Sequence, residues 1–198
     1  NWIVFIKSKN IDQLLIKDGP SVDFNVSVIS KMGNEKEYIY GFDLKACYWN
    51  IAYREGIINE KTYLKGIEDK DSRLQALGTL NKRISIEKKA SGSTTERIND
   101  YYRPTSLAWK HILGCVEKIR TDLVEICGNE NYLMFLTDCI YIHHSCRYKV
   151  YEYFKLNKIE YTIQIIELTS FDGRWLSGNI VNMGCEYLPF YQLIPALK

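Results

Sequence analysis

This sequence has no long apolar run and no strong imbalance of charge. No uninterrupted apolar stretch approaches the roughly 18 residues of a membrane span, and the opening NWIVFIKSKN has no small-residue cleavage site of the secretory kind. Lysine and arginine total 26 against 24 acids, a net charge of +2. That balance does not announce a nucleic-acid binder, so a phosphate-binding surface has to come from local clustering. The six cysteines, at 47, 115, 127, 139, 146 and 185, form no CxxC pair, and a chain of this size needs no stapling, which favours a reduced, intracellular setting. There is no internal repeat, and no initial Met, which reads as a processed or excised chain. What is present is 198 residues, 46% of them hydrophobic, enough for one core with a small insertion. Abundant Tyr, Ile, Lys and Asn hint at an AT-rich phage or low-GC bacterial genome. The expected location is the cytoplasm of a bacterium or a virus-infected host cell, with the virion as the alternative.

Along the chain, Ile3 to Ile6 is a short apolar run, and Phe24 to Ile29 reads as a strand entering a turn at Met32-Gly33-Asn34. Tyr38 to Asp43 alternates as a strand, and ACYWNIAYREG reads as a short helix closed by Gly56. The texture then turns polar. Arg73, Lys82, Arg83, Lys88 and Lys89 stand against the single acid Glu87, and Ser93 and Glu96 are spaced as a capping box for a helical turn. From Pro104 a long helix is predicted, with Ala108, Ile112, Val116, Ile119, Leu123 and Ile126 inward and Gly128 past its end. NYLMFLTDCIYIHH reads as a hairpin with Asp138 at its turn, CRYKVYEYFKLNK as a helix, and EYTIQIIEL as a strand ending at Phe171-Asp172-Gly173. The sum is an α+β layer with helices on one face of a mainly antiparallel sheet.

In such a sheet the strand ending at Asp43 and the hairpin carrying Asp138 lie side by side, joining acids 95 residues apart in sequence. Two carboxylates without a basic partner in their own segments resist joint ionisation, and a divalent cation resolves the conflict. Two such ions about 4 Å apart form the clamp for in-line attack on phosphoryl groups. An Asp at a strand end or turn also serves simply as a turn former.

The residues around the two acids add a resemblance. FDLKACYWNIAY resembles motif A of family B DNA polymerases, D-x-x-S-L-Y-P-S/N-I, with Asp43 at the catalytic acid and Ala46-Cys47-Tyr48 at Ser-Leu-Tyr. FLTDCIYI resembles motif C, D-T-D-S, through Thr137-Asp138-Cys139, and the helix containing TSLAWKHI is similar to the one before motif C. The resemblance implies that Asp43, Asp138 and the backbone carbonyl of Leu44 hold two Mg2+ or Mn2+ ions. It implies that Tyr48 stacks beneath the incoming sugar and excludes a 2′-hydroxyl, where a buried helix aromatic is the plainer reading. GRWLSG is loosely similar to the K-K-R-Y segment, which would put Arg174 and Trp175 at the primer terminus; a surface turn explains them too. RLQALGTLN stands where motif B, K-x-x-x-N-S-x-Y-G, is expected, but keeps only its charge. Arg73, Lys82 and Arg83 become candidates for triphosphate oxygens, or simply a solvated helix face.

The chain departs from the family at Leu136, where motif C has its first acid, and in length, with 42 residues before Asp43 and 23 after Trp175. Those lengths leave no room for an exonuclease domain or a thumb. The implied organisation is N-terminal strands and extension over 1–37, a palm-like domain over 38–56 and 104–178, a reduced, helical, basic fingers-like insertion over 57–103, and a tail over 179–198. The implied partners are a DNA primer-template, deoxynucleotide triphosphates and another chain or segment supplying the thumb, with no membrane. Two functions follow: a polymerase palm fragment or subunit performing nucleotidyl transfer, or an inactive palm kept as a nucleic-acid-binding or structural module. An unrelated α+β domain is the third reading.

Overall fold

A computed structural model of the chain describes residues 11–32, 37–80, 83–89, 95–101, 103–181 and 188–195. The apolar run Ile3 to Ile6, the turn at Gly33-Asn34 and the capping residue Ser93 lie outside these described residues. The chain divides into two compact units, one made of 1–19 and 46–116, the other of 20–45 and 117–198. Among the described residues no helix is long and apolar enough to cross a membrane.

The second unit is built on a seven-stranded sheet, antiparallel throughout, in the order β1-β5-β6-β2-β7-β8-β9. Its strands are β1 (Val22–Phe24), β2 (Tyr38–Leu44), β5 (Tyr132–Leu136), β6 (Cys139–His143), β7 (Tyr161–Phe171), β8 (Trp175–Ile180) and β9 (Leu188–Leu193). The α+β reading with an antiparallel sheet therefore stands, and β1 and β9 come from segments read as extension and tail. Alternation along β2 sorts its two faces. Phe42 points at helix α6 (Arg147–Leu156), meeting Tyr151 and Phe154 at ring separations of 5.4 and 5.6 Å. Ile39, on the opposite face, joins a cluster with Ile166, Leu168, Leu176 and Phe190.

The expected strand from Phe24 to Ile29 is instead the end of β1 followed by helix α1 (Val26–Met32). The cause is Asn25. Its carbonyl accepts from the amides of Val28 and Ile29 at 3.1 and 3.0 Å, and its side chain accepts from Ser27 Oγ at 2.9 Å. A capped turn overrides the β preference of the branched residues behind it. Val28 and Ile29 then pack in the Ile39 cluster, so helices cover both faces of the sheet rather than one.

The long helix α5 (Arg103–Cys127) forms as its periodicity predicts. Ala108, Ile112, Val116, Ile119 and Leu123 are buried, and Gly128 closes it at φ 77, with its amide on the carbonyl of Val124 at 3.0 Å.

The first unit holds α2 (Cys47–Arg54), α3 (Glu60–Glu68), α4 (Lys70–Leu80) and a hairpin of β3 (Arg83–Lys89) with β4 (Thr95–Tyr101). The capping-box expectation is thus corrected: a strand follows, in register Arg83↔Tyr101 to Lys89↔Thr95. Asn59 caps α3 by accepting from the Thr62 amide at 2.9 Å, and Asp69 caps α4 through Ser72. Trp49 anchors this unit. It is 2% exposed, its Nε1 donates to the Tyr63 carbonyl at 3.0 Å, and its ring lies so close over Gly66 that a Cβ there would collide with it.

Candidate active site: an acidic pair where two strands meet

Asp43 sits near the end of β2, the central strand, on the face opposite Phe42. Its partner across the ladder to β6 is Cys139, the residue after Asp138. The next amide, that of Leu44, donates to the carbonyl of Asp138 at 3.0 Å, so the hairpin turn is bonded directly to the end of β2. Position 138, in the β5–β6 turn, therefore meets the end of β2 beside position 43.

The turn is held as tightly as the strand. Thr137 has φ 58; its amide donates to Ser21 at 2.8 Å and its hydroxyl to Asp138 Oδ1 at 2.8 Å. Ala46, three residues past Asp43, has φ 44. Left-handed backbone costs a residue with a Cβ about 1 kcal/mol or more. Among the described residues only Lys158 shares that conformation without being glycine, so two of three such positions flank the acids.

Electrostatics match this geometry. Burial first, then the charge of Asp138, raises the Asp43 carboxyl above its ordinary value. Cys139 is buried beside them, and its thiol is pushed up to about 12 by burial, with both acids adding to the effect. It is an inert thiol at neutral pH. Tyr141, also raised chiefly by burial, lays its ring over Gly41, where a Cβ would stand 2.8 Å from the ring. Leu136, in place of a third acid, is a half-buried apolar residue against the Ile39 cluster.

A pair of hard carboxylate oxygens on one strand end suits Mg2+ or Mn2+. The other sequence candidates fall elsewhere. Tyr48, on α2 in the first unit, is half-buried with its ring 5.4 Å from that of Trp109. Arg73 on α4 spends Nη1 on the Gly66 carbonyl at 2.9 Å, joining two helices. Lys82 lies outside the described residues, and Arg83 is the first residue of β3, paired with Tyr101.

Arg174 and Trp175 are at the β7–β8 turn, exposed, with their amides on Asp172 Oδ1 at 2.9 and 2.6 Å. Asp43 pairs with Thr162, and β7 continues nine residues to Phe171 before that turn. At about 3.3 Å per residue this is roughly 30 Å. The structure therefore does not bring Arg174 and Trp175 to the acids. Arg174 lines instead a cleft of about 260 Å³ with Gly173, Leu193, Ile194 and Pro195.

One cluster escaped the sequence reading. Glu55, His111 and Cys115 converge in the first unit, each offering a ligand atom within 4.8 Å of the others. The signal available was the four-residue spacing of His111 and Cys115, which places both on one helix face. Comparisons with protein families, curated proteins and solved structures find no match to this chain, so the chemistry of both sites rests on their own residues.

Proposed function

We propose that the sheet unit is a polymerase-type palm and that the chain carries out metal-dependent nucleotidyl transfer from deoxynucleotide triphosphates to a primer 3′-hydroxyl. The observation that carries this is the Leu44 amide bonded to the Asp138 carbonyl at 3.0 Å, which ties the turn carrying Asp138 to the end of the strand carrying Asp43. Asp43 and Asp138 would hold the ions, with the Leu44 carbonyl beside them. Magnesium or manganese bound there supplies charge neutralisation for the pyrophosphate and a more acidic attacking hydroxyl. The chain's own contribution is rigidity: two turns with left-handed backbone and a bonded ladder fix the backbone beneath both acids, and the Thr137 hydroxyl orients the Asp138 carboxylate.

One observation favours the alternative, an inactive palm used for binding. Arg174 and Trp175 stand at the far end of β7, which leaves the acid pair without the primer-gripping residues that the resemblance implies. A partner would then have to supply that grip. Extension of a labelled primer in Mg2+ or Mn2+ separates the two readings. Polymerisation predicts a product that Asp43→Asn and Asp138→Ala each abolish. Product that persists in Asp138→Ala overturns the mechanism, and binding to primer-template without extension supports the alternative.

A further inference from the structure

We propose that Glu55, His111 and Cys115 form a second metal site, for a transition metal of the zinc class and distinct from the acid pair. All three belong to the first unit, Glu55 just past α2 and the other two one turn apart on α5. Glu55 Oε2 lies 3.2 Å from His111 Nε2, and Cys115 Sγ lies 3.8 Å from the same nitrogen. A tetrahedron with zinc-type bonds of about 2.0–2.3 Å has ligand–ligand edges of roughly 3.3–3.8 Å. The two separations from Nε2 lie at the ends of that range, and the third, Glu55 to Cys115, lies within 4.8 Å.

The donor set decides the metal class. Imidazole nitrogen and thiolate sulfur select Zn2+ or Co2+ over Mg2+ and Ca2+, which take oxygen ligands. Three protein ligands leave the fourth tetrahedral position to water. A catalytic triad does not fit the same atoms, because thiol and carboxylate both address Nε2, whereas a proton relay needs one on each ring nitrogen.

Nδ1 has its own partner, the amide of Leu15, which donates to it at 3.0 Å. With that bond in place the ring carries its proton on Nε2, facing Glu55. Metal binding needs the Nε2 lone pair. The ring proton therefore moves to Nδ1, the Leu15 amide turns away, and the Cys115 proton leaves to solvent. The segment around Leu15 lies directly on α5, since a Cβ at Gly114 would meet the Leu15 carbonyl and the Lys17 amide donates to Lys110 at 3.2 Å. Metal occupancy is thus coupled to this strap.

The test is titration of the full chain with Co2+. A one-to-one thiolate-to-cobalt charge-transfer band is expected, displaced by Zn2+ and not by Mg2+, together with a shift of the Leu15 amide resonance. Cys115→Ala should abolish the band, Cys127→Ala should retain it, and Glu55→Gln should bind at least about tenfold more weakly. No band in the native chain, or a band surviving in Cys115→Ala, overturns the proposal. If Cys115→Ala does not fold, Glu55→Gln decides, and undiminished affinity in that variant overturns it equally.

Discussion

Replacing Asp43 with Asn should make the metal-free protein more stable. The substitution keeps the side chain's size and removes one of two like charges. Burial and the neighbouring Asp138 charge hold the Asp43 carboxyl above its ordinary 3.8, so the folded state disfavours its ionised form. Two unit charges about 4 Å apart repel by roughly 1 kcal/mol in water and roughly 4 kcal/mol at an effective dielectric of 20. Asp43 is an exposed residue, so screening keeps the cost at the water end, at most about 1 kcal/mol. For a chain of this length that is a Tm higher by about 2–4 °C in the variant, read by thermal denaturation at pH 7 with a chelator present. The pH dependence has a definite sign. A raised carboxyl destabilises the fold above its folded pKa, and the penalty disappears as the pH falls through that value toward 3.8, so the gap between variant and native chain should close on acidification. Magnesium should reverse the order, stabilising the native chain and leaving the variant unmoved. A variant that melts at or below the native temperature at pH 7 without metal would refute the claim that these carboxylates repel.

Gly66→Ala should cost about 1–3 kcal/mol through collision with the buried Trp49 ring, seen as a lower urea midpoint at unchanged m. Arg120→Met should cost about 1–2 kcal/mol by chemical denaturation, because the half-buried guanidinium reaches both Glu117, at 2.7 Å, and Asp23, at 3.0 Å. His143 titrates below its ordinary 6.5, from burial first and then the charge of His144. The unfolded chain therefore takes up this proton first as pH falls past 6.5; native stability should drop there, and His143→Gln should reduce that slope in urea titrations at pH 7 and 5.5.

Elements whose own residues decide their form were legible in the sequence. The inward row from Ala108 to Leu123 and the closing Gly128 define α5 without help from the rest of the chain. The hairpin around Asp138 follows from two apolar runs and a two-residue Thr-Asp turn. Elements set by competition were not. Val26, Val28 and Ile29 look like strand residues, and one Asn ahead of them makes a helix. The β3–β4 hairpin carries so many charges between Ile84, Ile86 and Ile98 that its alternation reads as polar texture. The candidate acid pair was legible because each acid sits in a recognisable local motif. The Glu55 cluster was hidden because its third member is 56 residues from His111 in sequence. The remoteness of Arg174 and Trp175 depends on the length of β7, and strand ends are the least certain part of a sequence reading.

Because β2 is the middle strand of seven, both edges of its peptide chain are tied to neighbours, to β6 on one side and β7 on the other. Opening that stretch to solvent means dismantling the whole sheet, so the amide protons of residues 40–43 should exchange only at the rate of complete unfolding. The ion proposed for the two acids would meet a backbone already in position, so selectivity there would come from charge and size.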